Sequence, residues 1–303
     1  MSRIAYFGPQ GTFTEQAARG LAAPDDELIP AETIPQVLAA VRTGAAGAAC
    51  VPVENSVEGS VTATLDGLNT GEPLVAVAEA LLPVHFSVLT RPDAGEIRTV
   101  ASFPHALAQV RLWLEANLPD ATLVATSSTA AAAVAVHAGE YDAAVTAPVA
   151  AEHYPLRVLA TGVADVSDAR TRFLLVRRPG LLPEPTGSDR TSIVASTPNR
   201  TGTLAELLTE LAFRGINLTK LDARPTRNNF GEYHFFIDFE GHIAEPRIGD
   251  ALAALRRRCR NVRFLGSHPR ADGVSPTIEP SAGNDDFIHA ADWVAAVRKG
   301  ELA

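Results

Sequence analysis

The sequence has 303 residues, enough for two domains, and its formal net charge of -9 argues against a nucleic-acid partner, which would require a basic surface. Its two cysteines, Cys50 and Cys259, lie in no CxxC or Cys/His spacing, so neither a disulfide framework nor a metal site is expected. The sequence starts without a signal-like segment and has no run of about 20 apolar residues, which predicts a cytoplasmic protein with no membrane partner.

The first part of the chain alternates short apolar strands with helices. A buried strand at 4–7 leads through the turn 8–12 into a helix over 13–21, for which Thr12 or Thr14 is the expected N-cap. Strands near 28–29 and 48–53 follow, with a helix over 34–42 and another that begins at Ser60 or Thr62 and runs through Leu68. This alternation predicts an α/β fold built on a parallel sheet.

A second lobe is predicted from the segment that follows. Two apolar runs within 74–89 are separated by Pro83, a long helix is expected from 103 to 116, and an alanine-rich helix runs to His137 behind the cap cluster 126–129. The chain is expected to leave the first lobe near 78–82 and to return near 163–170. Two lobes joined by two crossings enclose a cleft that is able to close on a ligand.

Beyond Arg178 the pattern changes. Residues 179–190 are rich in Pro and Gly and predict a linker. Residues 191–268 follow the order βαββαβ, which is ferredoxin-like. A tail over 269–303 includes a predicted helix from about 287 to 299, whose apolar residues are expected to dock on a neighbouring surface.

The strongest candidate site is Thr171-Arg172-Phe173, at the point where a buried strand is predicted to begin. An arginine offers a fork of donors to a carboxylate, and a threonine offers one positioned hydroxyl, so the segment suits a cleft that binds an anion. The alternative that the sequence leaves open is that this segment is an ordinary strand end with a surface ion pair. Glu54, Asn55 and Ser56 follow another buried strand, where α/β sheets collect ligand groups, although such residues also build ordinary loops.

Other chemistry is not indicated. The turn 8–12 lacks the third glycine of a dinucleotide fingerprint and the Gly-Lys-Ser/Thr of a phosphate-binding loop, so no nucleotide cofactor is expected. His105, His137 and His153 have no Ser or Cys nucleophile pattern beside them and are expected to be structural or exposed.

Four motifs in a fixed order indicate a family. They are Gly8-Pro9-Gln10-Gly11-Thr12-Phe13-Thr14, the segment 51–61, Thr171-Arg172-Phe173, and the segment 214–220. Together they resemble prephenate dehydratase over essentially residues 1–268. The resemblance implies a two-lobed, type II periplasmic-binding-protein-like catalytic domain over 1–178, a linker over 179–190, an ACT regulatory domain over 191–268, and the tail.

The resemblance implies a lyase that converts prephenate to phenylpyruvate by decarboxylation and dehydration, in L-phenylalanine biosynthesis, with no cofactor and no metal. It implies that Thr171 provides a hydrogen bond or proton to the departing oxygen, that Arg172 faces the substrate anion, and that Phe173 packs the site wall. The candidate substrate contacts that it implies are Asn55, Ser56, Glu54, Thr12, Ser128 and Thr129.

The resemblance also implies allosteric regulation by L-phenylalanine in a homodimer or homotetramer. The expected effector residues are Gly202, Thr203, Leu204, Asn217, Leu218 and Thr219. The chain departs from the family pattern at 103–105, which puts a polar substrate role there in doubt, and at Asp222-Ala223, which is expected to weaken or retune inhibition. The alternative hypothesis is a cytoplasmic binding module that senses an amino acid without catalysis.

Overall fold

The structure is a computed structural model and describes residues 2–166, 168–226, 231–280 and 282–301. The chain forms two compact units, one built from Met1–Gly67 and Ala80–Arg178, the other from Leu68–Glu79 and Pro179–Ala303. Both units combine helices with a sheet, which confirms the predicted α/β class. Within the described part of the chain, every helix is too short or too polar to cross a membrane.

Short strands and helices alternate along most of the chain. It begins with β1 (Arg3–Phe7), α1 (Phe13–Leu21), β2 (Glu27–Ala31), α2 (Ile34–Thr43), β3 (Ala48–Asn55), β4 (Gly59–Ser60), α3 (Thr62–Asn69) and β5 (Val75–Pro83). It continues with β6 (Ser87–Thr90), β7 (Thr99–Ser102), α4 (Pro104–Gln109), α5 (Arg111–Asn117), β8 (Thr122–Ala125), α6 (Thr129–His137), β9 (Ala143–Thr146), α7 (Ala150–His153), β10 (Arg157–Thr161) and β11 (Arg170–Arg177). It ends with β12 (Asp189–Ser196), α8 (Thr203–Ala212), β13 (Leu218–Pro225), β14 (Tyr233–Glu240), α9 (Pro246–Arg258), β15 (Asn261–Pro269) and α10 (Asn284–Arg298).

The first lobe of the first unit has a sheet in the order β11-β3-β1-β2. Strand β1 is parallel to β2 and β3, whereas β11 is antiparallel to β3. The carboxyl ends of β1, β2 and β3 therefore meet the start of β11 at one edge of the sheet. That edge is where α/β folds place their ligand-binding groups.

The second lobe has its own sheet, in the order β10-β6-β9-β7-β8. Helix α6 packs its buried alanines on this sheet, since Ala130, Ala132 and Ala133 are fully buried and their small side chains allow a close approach. The long helix expected over 103–116 is instead two helices, α4 and α5. They separate at Val110, where the Gln109 carbonyl accepts from the Asp165 N–H and the Asp165 carboxylate accepts from the Leu112 N–H, in place of helical partners.

The second unit contains the ferredoxin-like order predicted from the sequence. Its sheet runs β13-β14-β12-β15, and helices α8 and α9 cover a core of large apolar side chains. The large side chains of this core that are fully buried are Ile193, Leu211, Ile237, Phe239, Ile248 and Leu255. Helix α10 has no buried residue among those described, and its Trp293 side chain is 65% exposed, so its docking remains a prediction.

Residues 68–79 belong to the second unit although they precede the linker by about a hundred positions. Ala76 in β5 pairs with Gly266 in β15, where a Cβ on the glycine would lie 2.3 Å from the Ala76 carbonyl oxygen. Glu79 accepts from Arg190 Nη1 at 2.7 Å and from the Ala271 N–H at 2.9 Å. Both side chains of the Glu79–Arg190 ion pair are buried. The strand pairing and these contacts attach residues 68–79 to the C-terminal part of the chain.

Candidate active site

Asn55 and Thr171 face each other across β3 and β11 at the ligand-binding edge of the first lobe. The Asn55 amide oxygen accepts from the N–H groups of Val57 at 2.8 Å and Glu58 at 3.0 Å. These two bonds fix the orientation of the amide, so its nitrogen points the other way and donates to Thr171 Oγ1 at 2.9 Å. Because the Thr171 oxygen accepts this bond, its own proton is directed to a different acceptor.

The Thr171 strand is irregular beside this contact. Arg172 is in register with Glu54 and Phe173 with Pro52, so Val53 is an extra residue on β3. Such bulges re-aim side chains and are common next to active sites. Arg172 Nη2 contacts Glu54 Oε2 at 3.2 Å, and the Arg172 side chain is only 7% exposed. Phe173 is buried as well.

Ser56 anchors the start of the same strand. Its hydroxyl accepts from the Arg170 N–H at 2.9 Å, and its own N–H donates to the Arg170 carbonyl at 2.9 Å. The structure thus brings Glu54, Asn55 and Ser56 together with residues 170–172. Three of the six predicted substrate contacts, at the end of β3 and directly after it, lie against the predicted catalytic segment.

A cavity of about 680 Å³ opens beside this cluster, between the two lobes. Its first-lobe wall includes Gly8 and Pro9 at the end of β1 and residues 30–33 at the end of β2; its second-lobe wall includes Ser127 and Ser128. Asn55 and Thr171 lie outside this lining, on the next strand ends along the edge. Neighbouring strands are ~4.8 Å apart, so a small elongated ligand can reach from the cavity to Thr171.

The three remaining predicted contacts occupy helix starts. Thr12 caps α1: its hydroxyl accepts from the Glu15 N–H at 3.2 Å and donates to the Pro9 carbonyl at 3.3 Å. Ser128 caps α6 through the Ala131 N–H at 2.9 Å, and Thr129 is the first residue of that helix. The amide groups at the start of α6 lie beside the cavity and favour an anion there.

Among the described residues, polar contacts join the lobes on two sides, and these contacts are not predicted from the sequence. On one side Glu58 contacts His105 Nδ1 at 2.8 Å and Gln109 Nε2 at 3.2 Å. On the other side Glu15 contacts His153 Nε2 at 3.0 Å. Glu58 lies inside one of the four motifs, but nothing in the local sequence indicates that its partners come from the other lobe.

The predicted effector residues are placed in two groups in the second unit. Gly202 caps α8 with a left-handed φ of +84°, and Thr203 and Leu204 begin that helix. Asn217, Leu218 and Thr219 lie at the start of β13, after the helix ends. Helix α8 has ten residues and is therefore ~15 Å long, so one chain does not bring the two groups together. The part of the chain that the structure describes holds no cluster of three or more metal-ligating side chains.

Comparison with known proteins gives consistent matches. The family model described as prephenate dehydratase matches residues 4–180, and the ACT domain model matches residues 191–257. A curated prephenate dehydratase of Amycolatopsis methanolica is 78% identical over 304 residues, covering 100% of both chains. The solved structure of a prephenate dehydratase from Arthrobacter aurescens, in complex with L-Phe, is 43% identical with a TM-score of 0.92, covering 98% of this chain and 99% of that chain.

A third relative carries a different description. A solved structure of GqqA, described as a novel type of quorum quenching acylase, is 31% identical with a TM-score of 0.79. The match covers 88% of this chain and 97% of that chain. The same fold is therefore associated with more than one named activity among these relatives.

Proposed function

We propose that this chain, which belongs to the prephenate dehydratase family, decarboxylates and dehydrates prephenate with the Thr171 hydroxyl as the hydrogen-bond donor to the departing oxygen. The observation that carries the proposal is the contact of 2.9 Å from Asn55 Nδ2 to Thr171 Oγ1. Because Thr171 Oγ1 accepts a bond from an amide whose orientation is fixed, the proton of its hydroxyl is directed toward the ligand. Thr171 thereby acts as an oriented donor.

The chemistry needs little more than orientation and charge stabilisation. The bond from the ring to the carboxylate breaks and its electron pair enters the ring. The ring hydroxyl leaves with the C–O bonding pair, accepts the hydrogen bond of Thr171, and takes up a proton from solvent to form water. Carbon dioxide and phenylpyruvate are the other products, and aromatisation drives the reaction. A donor aimed at developing negative charge contributes ~10²–10³-fold in such sites.

The substrate carries two carboxylates, which the site meets with Arg172 and helix amides. Glu54 orients the Arg172 guanidinium through the contact at 3.2 Å, and we assign one substrate carboxylate to this planar fork. The second carboxylate is assigned to the cavity beside the start of α6. The two assignments place the ring between them, next to Thr171.

An acylase activity, as named for one relative, fits this geometry less well. Acyl transfer by a threonine requires a base that accepts the hydroxyl proton. Thr171 Oγ1 instead receives a bond from the amide nitrogen of Asn55, which is a donor. The dehydratase reaction needs a threonine hydroxyl that donates a hydrogen bond to the departing oxygen. The bond that Asn55 donates to Thr171 favours this arrangement.

The finer proposal concerns pathway and regulation. Phenylpyruvate is the keto acid of phenylalanine, so the activity serves L-phenylalanine biosynthesis, and L-phenylalanine is the effector of the second unit. Gly202, Thr203 and Leu204 lie at the start of α8, and Asn217, Leu218 and Thr219 lie beyond its other end, at the start of β13. A site that uses both groups requires a second copy of the chain, which supports a homodimer or a homotetramer.

The test uses the full chain, because residues 68–79 pair with the C-terminal part. Wild type is incubated with prephenate, and phenylpyruvate is measured by its alkaline absorbance with and without L-phenylalanine. Turnover that L-phenylalanine lowers is expected. Absence of turnover above the buffer rate would contradict the catalytic proposal, and a chain that turns over without responding to L-phenylalanine would contradict the regulatory one.

A matched pair of glycine variants locates the effector site. Gly202→Val should retain turnover and lose inhibition, because a branched side chain is strained at φ +84° and blocks the approach of a ligand. Gly273→Val is the control, since Gly273 has φ +64° and an open surrounding in the same unit but lies outside the proposed site. Equal inhibition of both variants would place the effector elsewhere.

A further inference from the structure

Glu15 is a buried carboxylate behind the turn that forms one wall of the cavity. Its side chain is 4% exposed. Its Oε2 accepts from the Gly11 N–H at 2.6 Å, and its Oε1 contacts Arg19 Nη2 at 2.6 Å and His153 Nε2 at 3.0 Å. One carboxylate therefore binds the turn, its own helix and the second lobe.

The turn itself depends on these contacts. Gly11 has φ +87°, and a Cβ there would lie 3.1 Å from Ala150 Cα, so the turn packs directly on α7 of the second lobe. Thr12, the next residue, binds the Pro9 carbonyl at 3.3 Å. Gly8 and Pro9 in turn line the cavity, opposite Ser127 and Ser128. A displacement of Gly11 is thus passed along the turn to the cavity wall.

The groups that face Glu15 come from both lobes. Arg19 also binds Glu152 of α7 at 2.9 Å, but that pair is largely exposed and contributes little. His153 is 17% exposed, so its contact with Glu15 is shielded from solvent. Two phenols lie nearby: burial and then the charge of Glu15 raise the pKa of Tyr6, and the same two causes raise the pKa of Tyr154.

We infer that Glu15 is a positioning residue for substrate binding, which holds the turn 8–12 against the second lobe and so sets the width of the cavity. The inference rests on the proposed function, because it assumes that prephenate occupies the cavity. Glu15 touches no reacting atom and acts through the turn. Its loss should weaken binding of the ground state and the transition state alike.

The variant Glu15→Gln keeps the size of the side chain and removes the negative charge that faces Arg19 and His153. We expect the KM for prephenate to rise about tenfold, as for one lost charged contact, while kcat stays within about threefold of wild type. A merely structural role would lower the fraction of folded enzyme, which reduces apparent kcat and leaves KM unchanged. Glu152→Gln is the matched control, because Glu152 shares the Arg19 contact but does not touch the turn.

His153→Ala is the second variant and serves if Glu15→Gln does not fold. It removes the shielded contact from the second lobe and should raise KM in the same direction. An unchanged KM in a folded Glu15→Gln enzyme, or in His153→Ala, would overturn the inference. These outcomes are separate from failure of the proposed function, in which wild type itself would form no phenylpyruvate.

Discussion

Asn55 Nδ2 donates to Thr171 Oγ1 at 2.9 Å, and the Asn55 oxygen is held by two backbone N–H groups. The polarity of this contact follows from the loop, since only one orientation of the amide satisfies all three bonds. The threonine hydroxyl is therefore presented as a donor before substrate arrives. In a weak acid such as an alcohol, this orientation matters more than its pKa.

The first prediction reverses that polarity. Asn55→Asp keeps the shape of the side chain and the acceptor for the Val57 and Glu58 N–H groups, but the second carboxylate oxygen accepts the Thr171 proton instead of donating to its oxygen. We expect kcat to fall by ~10²-fold or more at saturating prephenate, by loss of one oriented donor. Steady-state kinetics measures the change. An Asn55→Asp enzyme with wild-type kcat would rule out the assigned polarity.

The second prediction concerns the guanidinium of Arg172. Arg172→Lys retains a charge near Glu54 but lacks the planar fork that binds a carboxylate in two places. The variant should fold and show a raised KM and a lowered kcat/KM for prephenate. Arg98→Lys, in the exposed pair with Glu96, provides a comparison outside the substrate contacts and the Glu15 contacts. If Arg172→Lys had unchanged kinetics, Arg172 would be assigned a structural role.

The third prediction concerns the buried ion pair that holds residues 68–79. Glu79→Ala removes the contact at 2.7 Å to the buried Arg190 guanidinium, a change that costs up to about 3–5 kcal/mol of unfolding free energy. The Asp272 charge that remains near Arg190 should keep the loss below that limit. Glu96→Ala is the control, because Glu96 and Arg98 form an exposed pair and the change should stay within ~1 kcal/mol. Urea unfolding measures both. Equal effects of the two substitutions would show that residues 68–79 are not anchored in this way.

The fourth prediction follows from thermodynamic linkage between the two units. If L-phenylalanine lowers the affinity for prephenate, prephenate must lower the affinity for L-phenylalanine by the same factor, typically ~1–3 kcal/mol of coupling. Calorimetry on Thr171→Ala, in which turnover is slow, measures L-phenylalanine binding with and without prephenate. Identical affinities in the two titrations would exclude coupling between the sites.

Much of the fold follows from sequence periodicity and capping. Strand-helix alternation indicates the two lobes. Thr12, one of the two expected caps of α1, and Ser128, within the expected cap cluster 126–129, cap their helices. The break at Val110 has no local signal, because it depends on Asp165, which lies more than fifty positions away. The attachment of residues 68–79 to the second unit depends in the same way on pairing with β15.

Part of the candidate site can also be predicted from the sequence. Thr171, Asn55 and Glu54 belong to motifs that share one sheet edge, so the sequence order already suggests that they meet. The bridge from Glu15 to His153 joins positions 138 apart, and neither residue carries a local pattern. Such contacts depend on how two lobes pack, which periodicity along one chain does not encode.

The proposed function depends above all on the Thr171 hydroxyl as donor to the departing oxygen, and phenylpyruvate formation by Thr171→Ala tests this role. We expect a kcat ~10²–10⁴-fold below wild type with KM much less affected, while Thr171→Ser keeps a measurable part of the activity. A Thr171→Ala enzyme that forms phenylpyruvate at near the wild-type rate would show that the threonine is not the donor.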